Sequence, residues 1–390
     1  MYLFFRKSTR GTETAEREML KTYKYRLYPT RNQINALDDM ISRHRWLYND
    51  ALAQRKFAYE ERKESVSYNQ QSVLLKTNRQ EQDNEENPKS FATLNFSLCQ
   101  RTLRKLDKAF QAFFRRIKSG DTPGYPRFKG YNRFDSVEFT YGDGAKLRDN
   151  GKLYIQNIGE VKLKLHRAVD GIIKSATIKR QAGRYYVCFS VDTETVPLPK
   201  TGSVIGIDLG ISNLVTTSEG IFFEPPKHLR KSEKKLRILQ RSVARKTKGS
   251  KNRRKSVRNL QRLHEHIASQ RSDTAHKIAR ELIDQNDVIV VEDLNTQGLV
   301  KNHHLAKSIM DASWNTFVMI LLAKAVEAER KVIKIDPKYT SQLCSQCGNI
   351  VKKDLSVRIH DCPHCNLILD RDVNAARNIL ARGLDKAFVA

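Results

Sequence analysis

The sequence predicts a multidomain α+β protein. A helical bundle is inserted into a small antiparallel β-barrel, and an open α/β domain carrying a zinc ribbon follows. Three observations predict this. Period-two alternation of apolar and polar residues occurs at 21–28 and again between 124 and 198, with helical spacing between them. Two apolar stretches, VIGID at 204–208 and VIVVE at 288–292, each end on an acid. Four of the six cysteines are spaced as Cys344-x2-Cys347 and Cys362-x2-Cys365.

Residues 1–20 show no pattern and read as a disordered extension, with Met19 a candidate start. In KTYKYRLY, Tyr23, Tyr25 and Leu27 alternate with Lys24 and Arg26, which predicts a half-buried strand. Pro29 ends it and Thr30 is placed to cap a helix. Ile34, Leu37, Ile41, Tyr48 and Leu52 then recur at helical spacing. Residues 63–90 are polar, contain DNEENP and read as a loop. A second helix is expected over 91–118, with Leu94, Leu98, Leu106, Phe110, Phe113 and Ile117 on one face and Gly120 as its stop.

Beyond residue 124 the period changes to two. Val161, Leu163 and Leu165 alternate with Lys162 and Lys164, and Tyr185, Val187, Phe189 and Val191 follow a Gln181-Ala182-Gly183 turn. The strand at 21–28 fits this sheet, with the helices inserted between. Its lysine-lined face reads equally as a solvated surface or a nucleic-acid platform. Val196-Pro197-Leu198-Pro199 reads as a linker.

The charge balance is 71 basic against 43 acidic residues, a net +28. So large an excess opposes compaction unless a polyanion neutralises it, and nucleic acid is the first candidate. A bilayer span needs about 18 apolar residues in a row. The longest run, Phe317 to Ala323, has seven and ends at Lys324. MYLFF is too short for a signal-peptide core, so a cytosolic, nucleoid-associated protein is expected. Lys227 to Arg258 holds fifteen Lys or Arg and one acid, Glu233. Apolar residues at helical spacing on both sides of Gly249 predict a helical hairpin that grips phosphates. Arg241, Arg245, Lys251, Arg253, Arg254 and Lys255 are its candidate contacts. Lys162, Lys164, Arg127 and Lys129 are further candidates.

A carboxylate inside an apolar strand, as at Asp208, is costly unless it is paired or metal-bound. Glu292 ends the second such strand, and Asp372 opens a helix in DRDVNAARNIL. Open α/β sheets place ligands at such strand ends. Three converging acids would repel unless Mg²⁺ or Mn²⁺ sat between them. Two such ions can drive phosphodiester hydrolysis. Each acid also has a plainer reading. GIDLG opens actin-like and Hsp70-like ATPases, whose core is RNase H-like, but Ile211-Ser212-Asn213 departs from their phosphate turn. Asp293 rivals Glu292, and Asp370 rivals Asp372, which by itself also suits a helix cap. The cysteine spacing fits a Cys₄ Zn²⁺ site with a slightly short spacer. His360 and His364 lie nearby, although four sulfurs already complete the shell. Cys99 and Cys188 read as ordinary buried thiols.

The ordered set GIDLGI, VVEDL, TSQLCSQCG and DRDVNAARNI, with YKYRLYPTRNQ and GYPRFKG upstream, closely resembles the TnpB (OrfB) family, relatives of the type V CRISPR effectors. The likeness spans residues 21–382. It implies an RNA-guided DNA endonuclease encoded by a transposon. Such an enzyme binds a transposon-derived guide RNA, reads a short flanking motif and cuts double-stranded target DNA at one RuvC-like site. The implied acids are Asp208, Glu292 and Asp372, holding Mg²⁺ or Mn²⁺. The resemblance also implies a first wedge strand at 21–29, a helical recognition domain at 30–123 and a wedge barrel at 124–198. It implies a RuvC-like core at 199–338 with the basic hairpin at 227–270, a zinc ribbon at 339–368 and a closing segment at 369–390. One protein per RNA and no membrane are expected. A nuclease-inactive nucleic-acid-binding regulator and a DDE-like transposase are the alternatives.

Overall fold

The computed structural model describes residues 18–81, 91–354 and 357–388. The leader before residue 18 and the acidic DNEENP stretch at 83–88 lie outside these. Residues 20–193 and 194–390 form two compact units.

The first unit opens with β1 (Glu18–Tyr28), followed by α1 (Arg31–Arg62), α2 (Tyr68–Glu81) and α3 (Phe96–Lys118). Six strands then follow: β2 (Ser136–Thr140), β3 (Ala145–Leu147), β4 (Lys152–Ile155), β5 (Gly159–Lys164), β6 (Ile172–Gln181) and β7 (Arg184–Glu194). Together with β1 they form a seven-stranded sheet in the order β2-β6-β7-β1-β5-β4-β3. Tyr141, just after β2, bridges to Ala145 of β3, so the two edge strands meet and the barrel nearly closes. Strand β1 therefore pairs with residues far along the chain, Leu27 opposite Leu163. The helices are inserted between, as the alternation at 21–28 predicts.

Local chemistry explains the element ends. Thr30 and Gln33 form a reciprocal capping box that starts α1. Ala182 and Gly183 both take positive φ, 49° and 72°, which a two-residue hairpin turn requires. Tyr25, Val161, Val187, Phe189 and Val191 fill the barrel. The sequence reading departs from the structure at several places, the first being β1, which begins at Glu18, inside the stretch read as a disordered extension. Residues 68–81 form a helix instead of a loop, because Gln71 and Leu75 bury one turn apart. There Gln71 accepts a 2.8 Å hydrogen bond from Arg55 of α1. Helix α3 begins at Phe96, five residues later than expected, capped by Asn95. Its apolar stripe outruns the core, leaving Ile117 exposed. Leu165 falls just past β5 and is exposed too.

The second unit holds β8 (Val204–Asp208), β9 (Val215–Thr217), β10 (Phe222–Phe223), α4 (His228–Ala244), α5 (Lys251–Gln285) and β11 (Val288–Glu292). It continues with α6 (Thr296–Leu299), α7 (His303–Ala312), α8 (Trp314–Glu327), β12 (Lys331–Ile335), β13 (Ile359–Asp361), β14 (Ile368–Asp370) and α9 (Arg371–Phe388). The main sheet runs β10-β9-β8-β11-β12, with β8, β11 and β12 parallel. Alternation along the strands sorts its faces. Ile205, Ile207, Ile289 and Val291 pack with α5 and α8. Val290 and Ile333 pack with Ile379 of α9 on the other side. The result is a three-layer α/β core. Ala306–Glu327 is long and apolar enough to pass as a membrane span by composition. It breaks at Ser313, whose φ is 55°, and buries Trp314, Phe317 and Leu321 in this core.

Candidate active site and metal centre

Strand register fixes the first two acids. Val290 lies opposite Gly206 and Val291 opposite Ile207, so the next residues along, Glu292 and Asp208, end neighbouring parallel strands. Such strands run about 4.8 Å apart. Asp208 and Glu292 share the parity of Gly206 and Val290, so both project from the face that α9 covers.

Gly206 explains how close α9 comes. A Cβ there would lie 2.2 Å from the Ala376 carbonyl oxygen and 2.8 Å from Leu380. A side chain at Gly383 would likewise strike Val290, at 2.4 Å. The backbone of α9 thus rests directly on β8, one turn beyond Asp372. Gly206→Ala is expected to push α9 off the strand. We expect a loss of ~1–3 kcal/mol, as overpacking gives, and displacement of Asp372 from Asp208. Thermal melts check the first effect. A variant with wild-type melting temperature would mean that the helix moves without cost.

The three acids share one electrostatic environment. Burial pushes the Asp208 carboxyl well above the usual carboxylate range, and the charges of Glu292 and Asp372 push it further, against the Arg371 guanidinium. Burial also raises Glu292, which the Thr340 hydroxyl opposes by donating to its Oε1. Asp372 is buried and accepts from Nε and Nη2 of Arg371, both at 3.1 Å. The rival acids are engaged elsewhere. Asp370 accepts from the amides of Asp372 and Val373 at 2.8 and 3.1 Å, which makes it the cap of α9. Asp293 is exposed and pairs with Lys334 at 3.1 Å. Asp287, at the opposite end of β11, shows what a purely structural acid looks like. Amides of Thr201 and Gly202 hold it below the usual range, helped by Arg330.

The four cysteines converge. Their sulfurs all lie within 4.8 Å of one another, with Cys344–Cys365 at 3.5 Å and Cys347–Cys362 at 3.6 Å. Four thiolates around Zn²⁺ at ~2.3 Å would stand about 3.8 Å apart, so the donor set fits zinc. The two knuckles are built alike. The Gly348 amide donates to the Cys344 carbonyl, and the Asn366 amide to the Cys362 carbonyl, both at 2.9 Å. Gly348 and Asn366 hold matching positive φ values of 74° and 59°. The Asn349 amide pulls the Cys347 thiol down to about 6, toward the thiolate that binds metal. His364 is exposed and His360 accepts from Lys353 at Nδ1, so neither belongs to the cluster. Among the described residues, the four cysteines are the only group of three or more potential ligands gathered this closely.

The basic candidates fall in both units. Helices α4 and α5 pair through Leu236, Leu263 and Ile267, and α5 runs on to Gln285, past the expected 270. Arg241, Arg245, Lys251, Arg254 and Lys255 point to solvent, and Arg253 does so in part. Among the described residues, no carboxylate pairs with any of these six. In the first unit, Lys162 and Lys164 stand on the outer face of β5 and Arg127 is exposed. Lys129 is tied by its backbone to Asn49 at 2.8 and 3.0 Å. Sequence reasoning missed Thr340 and Arg371, which touch the acids. Arg371 sits inside DRD and was within reach of a charge argument, whereas Thr340 lies 48 residues from Glu292.

Known proteins resemble this chain along its length. Residues 186–303 match the OrfB_IS605 family model, described as "Probable transposase", and residues 314–379 match the Cas12f1-like TNB domain. Residues 19–64 match a helix-turn-helix model of the same family, although here they hold β1 and one unbroken helix. A Streptomyces pristinaespiralis protein named "Putative RNA-guided DNA endonuclease" is 35% identical over 94% of this chain and 90% of its own. The chain belongs to the OrfB (TnpB) family. The Escherichia coli K12 relative, "Putative RNA-guided DNA endonuclease InsQ", is 30% identical over 93% of this chain and 92% of its own. The Cas12f1 endodeoxyribonuclease of Sulfoacidibacillus thermotolerans is 30% identical over about half of each, 52% and 51%. The resemblance read from the motifs is that of the family itself.

Proposed function

We propose that this TnpB-family chain is an RNA-guided, metal-dependent DNA endonuclease encoded by a transposon. It holds a transposon-derived guide RNA and cuts double-stranded DNA beside a short flanking motif. The observation that carries this reading is the pair of acids at adjacent parallel strand ends, facing a third acid on α9 in a shared field. Asp208, Glu292 and Asp372 would hold the ions, and hard oxygen donors suit Mg²⁺ or Mn²⁺. Bound there, two cations supply the charge that activates water and stabilises the leaving oxygen of a phosphodiester. Arg371 holds Oδ1 of Asp372, and the Arg358 guanidinium lies 3.9 Å from its Oδ2. Guide pairing supplies sequence choice, while the protein reads backbone and flanking motif. A prokaryotic cytosol, close to the nucleoid, and one chain per RNA fit this activity.

The test is to sequence the RNA that copurifies and then replace its guide segment. We expect the cut to move with the guide, in Mg²⁺ but not in EDTA. A cut that ignores the guide would overturn RNA guidance, and joining of transposon ends without RNA would favour a transposase.

The cations of α4 and α5 that pair with no carboxylate among the described residues give this reading a quantitative consequence. Each neutralised phosphate contributes roughly −0.7 to −0.9 to the slope of log affinity against log salt. Replacing Arg253, Arg254 and Lys255 together with Ala is expected to flatten the slope by up to about three units. All guide sequences should weaken alike, since phosphate contacts carry no sequence information. A wild-type slope would mean that these side chains only face water.

A further inference from the structure

We infer that residues 336–345 are a positioning strap, through which the ribbon orients Glu292 by way of the Thr340 hydroxyl. The inference rests on the proposed role of Glu292 as a metal-holding acid. The strap links the end of β12 at Ile335 to the first cysteine ligand, Cys344, and has no regular secondary structure of its own.

Helix α9 grips it at three points. Asn374, Asn378 and Arg382 recur every fourth residue and so share one helix face. Asn374 donates to the Leu343 carbonyl at 2.7 Å and accepts from the Ser345 amide at 2.9 Å. Asn378 donates to the carbonyls of Thr340 at 2.8 Å and Leu343 at 2.7 Å. Arg382 donates to those of Asp336 at 3.1 Å and Lys338 at 2.6 Å. These are backbone contacts, so they set the path of the strap whatever side chains it carries.

That path contains a strained residue. Tyr339 has φ 63°, a region that bulky side chains rarely adopt and that costs on the order of 1–3 kcal/mol. The turn leaves the Tyr339 ring exposed at 47% and sends Thr340 inward, at 4%. There its hydroxyl reaches Glu292 Oε1. A hydroxyl has one proton, and the Pro337 carbonyl at 3.0 Å competes for it. Donation to an ionised carboxylate is the stronger bond. The bond fixes Oε1 of Glu292, and with it the rotation of the carboxylate. Groups that orient metal-holding side chains in this way typically contribute 10–100-fold to metal affinity or activity. Thr340 is thus a positioning residue. The same helix that carries Asp372 holds the strap that orients Glu292, so both acids share one support.

The test compares Thr340→Val and Thr340→Ser in the full-length, RNA-bound protein. The readouts are Mn²⁺ binding by calorimetry, guided cleavage and thermal melting. Val keeps the shape and removes the donor. We expect it to weaken Mn²⁺ binding and cleavage by about 10–100-fold with little change in melting temperature, while Ser keeps both near wild type. Wild-type Mn²⁺ affinity in Thr340→Val would overturn the inference. If that variant does not fold, Asn378→Ala loosens the strap by removing its bonds to the Thr340 and Leu343 carbonyls, while the side chains of Thr340 and Glu292 stay unchanged. It must weaken Mn²⁺ binding in the same direction, and unchanged affinity there would equally overturn it. Failure of the underlying reading looks different: Glu292→Gln would then bind Mn²⁺ as tightly as wild type.

Discussion

Asp208→Ala, Glu292→Ala and Asp372→Ala are each expected to lower guided cleavage by 10³-fold or more, about 4 kcal/mol of barrier, while RNA and target binding persist. Each change removes an oxygen donor from the shared site, and none removes a cation that could meet a phosphate. Asp370→Ala should be milder. It removes the α9 cap, a loss of ~1 kcal/mol, and leaves the three acids in place. Loss of cutting in Asp370→Ala but not in Asp372→Ala would reverse the assignment of the third acid. A second readout needs no catalysis. The folded Asp208 carboxyl titrates above its unfolded value, so the native state binds its proton more tightly. Stability therefore falls as pH rises from the ordinary carboxylate range through the raised value, and the cost is complete above it. Asp208→Asn abolishes that cost. In EDTA, as the pH rises through the raised value, the Asn protein should come to melt higher than wild type, by about 2–4 °C for each kcal/mol relieved. The gap should close as the pH is lowered. Added Mg²⁺ should raise the melting temperature of the wild type and not that of the variant.

Much of this site is legible in the sequence because it is local. An acid at the end of Val204–Asp208 or Val288–Glu292 is visible as soon as the apolar run is. The cysteine knuckles are equally local, since each closes on itself within six residues. What is not legible depends on contacts that spacing does not encode. Gly206 looks like a weak point in a strand until α9 lies across it. Asp370 and Asp372 are indistinguishable by spacing. They separate only when two backbone amides turn out to point at Asp370. Thr340 reads as part of a cysteine motif, and its partner is an acid on another strand. The same limit hides α2. Its buried face includes Gln71, a residue type that reads as surface, and hydrogen bonds to Arg55, Gln54 and the Ala51 carbonyl of α1 make that burial tolerable. In the other direction, Ile117 continues an apolar period past the point where any core remains to receive it.

Loss of the ribbon metal should be the most damaging single change to the second unit. Strands β13 and β14 are three residues each, and a two-stranded sheet of that size has no stability of its own in water. Cys344 and Cys362 are buried, yet the ribbon side chains Ile350, Ile359 and Ile368 are exposed, so little apolar burial is available instead. Structural zinc contributes on the order of 10 kcal/mol to small metal domains, more than any other single contact here could replace. Cys344→Ser and Cys365→Ser are therefore expected to lose about one zinc per chain. They should become prone to proteolysis between residues 344 and 370. Cys188→Ser, outside the cluster, should keep its zinc and its resistance. Elemental analysis and limited proteolysis check both statements. Well-folded wild-type protein without zinc would refute the assignment. Chelation should also carry a cost beyond solubility, because Asn374 holds both Ser345 of the first knuckle and the carbonyl of Leu343. With the knuckle unfolded, the segment bearing Thr340 loses its anchor at Cys344. Cleavage by the chelated protein in excess Mg²⁺ should then fall before the parallel sheet melts, and zinc should restore it.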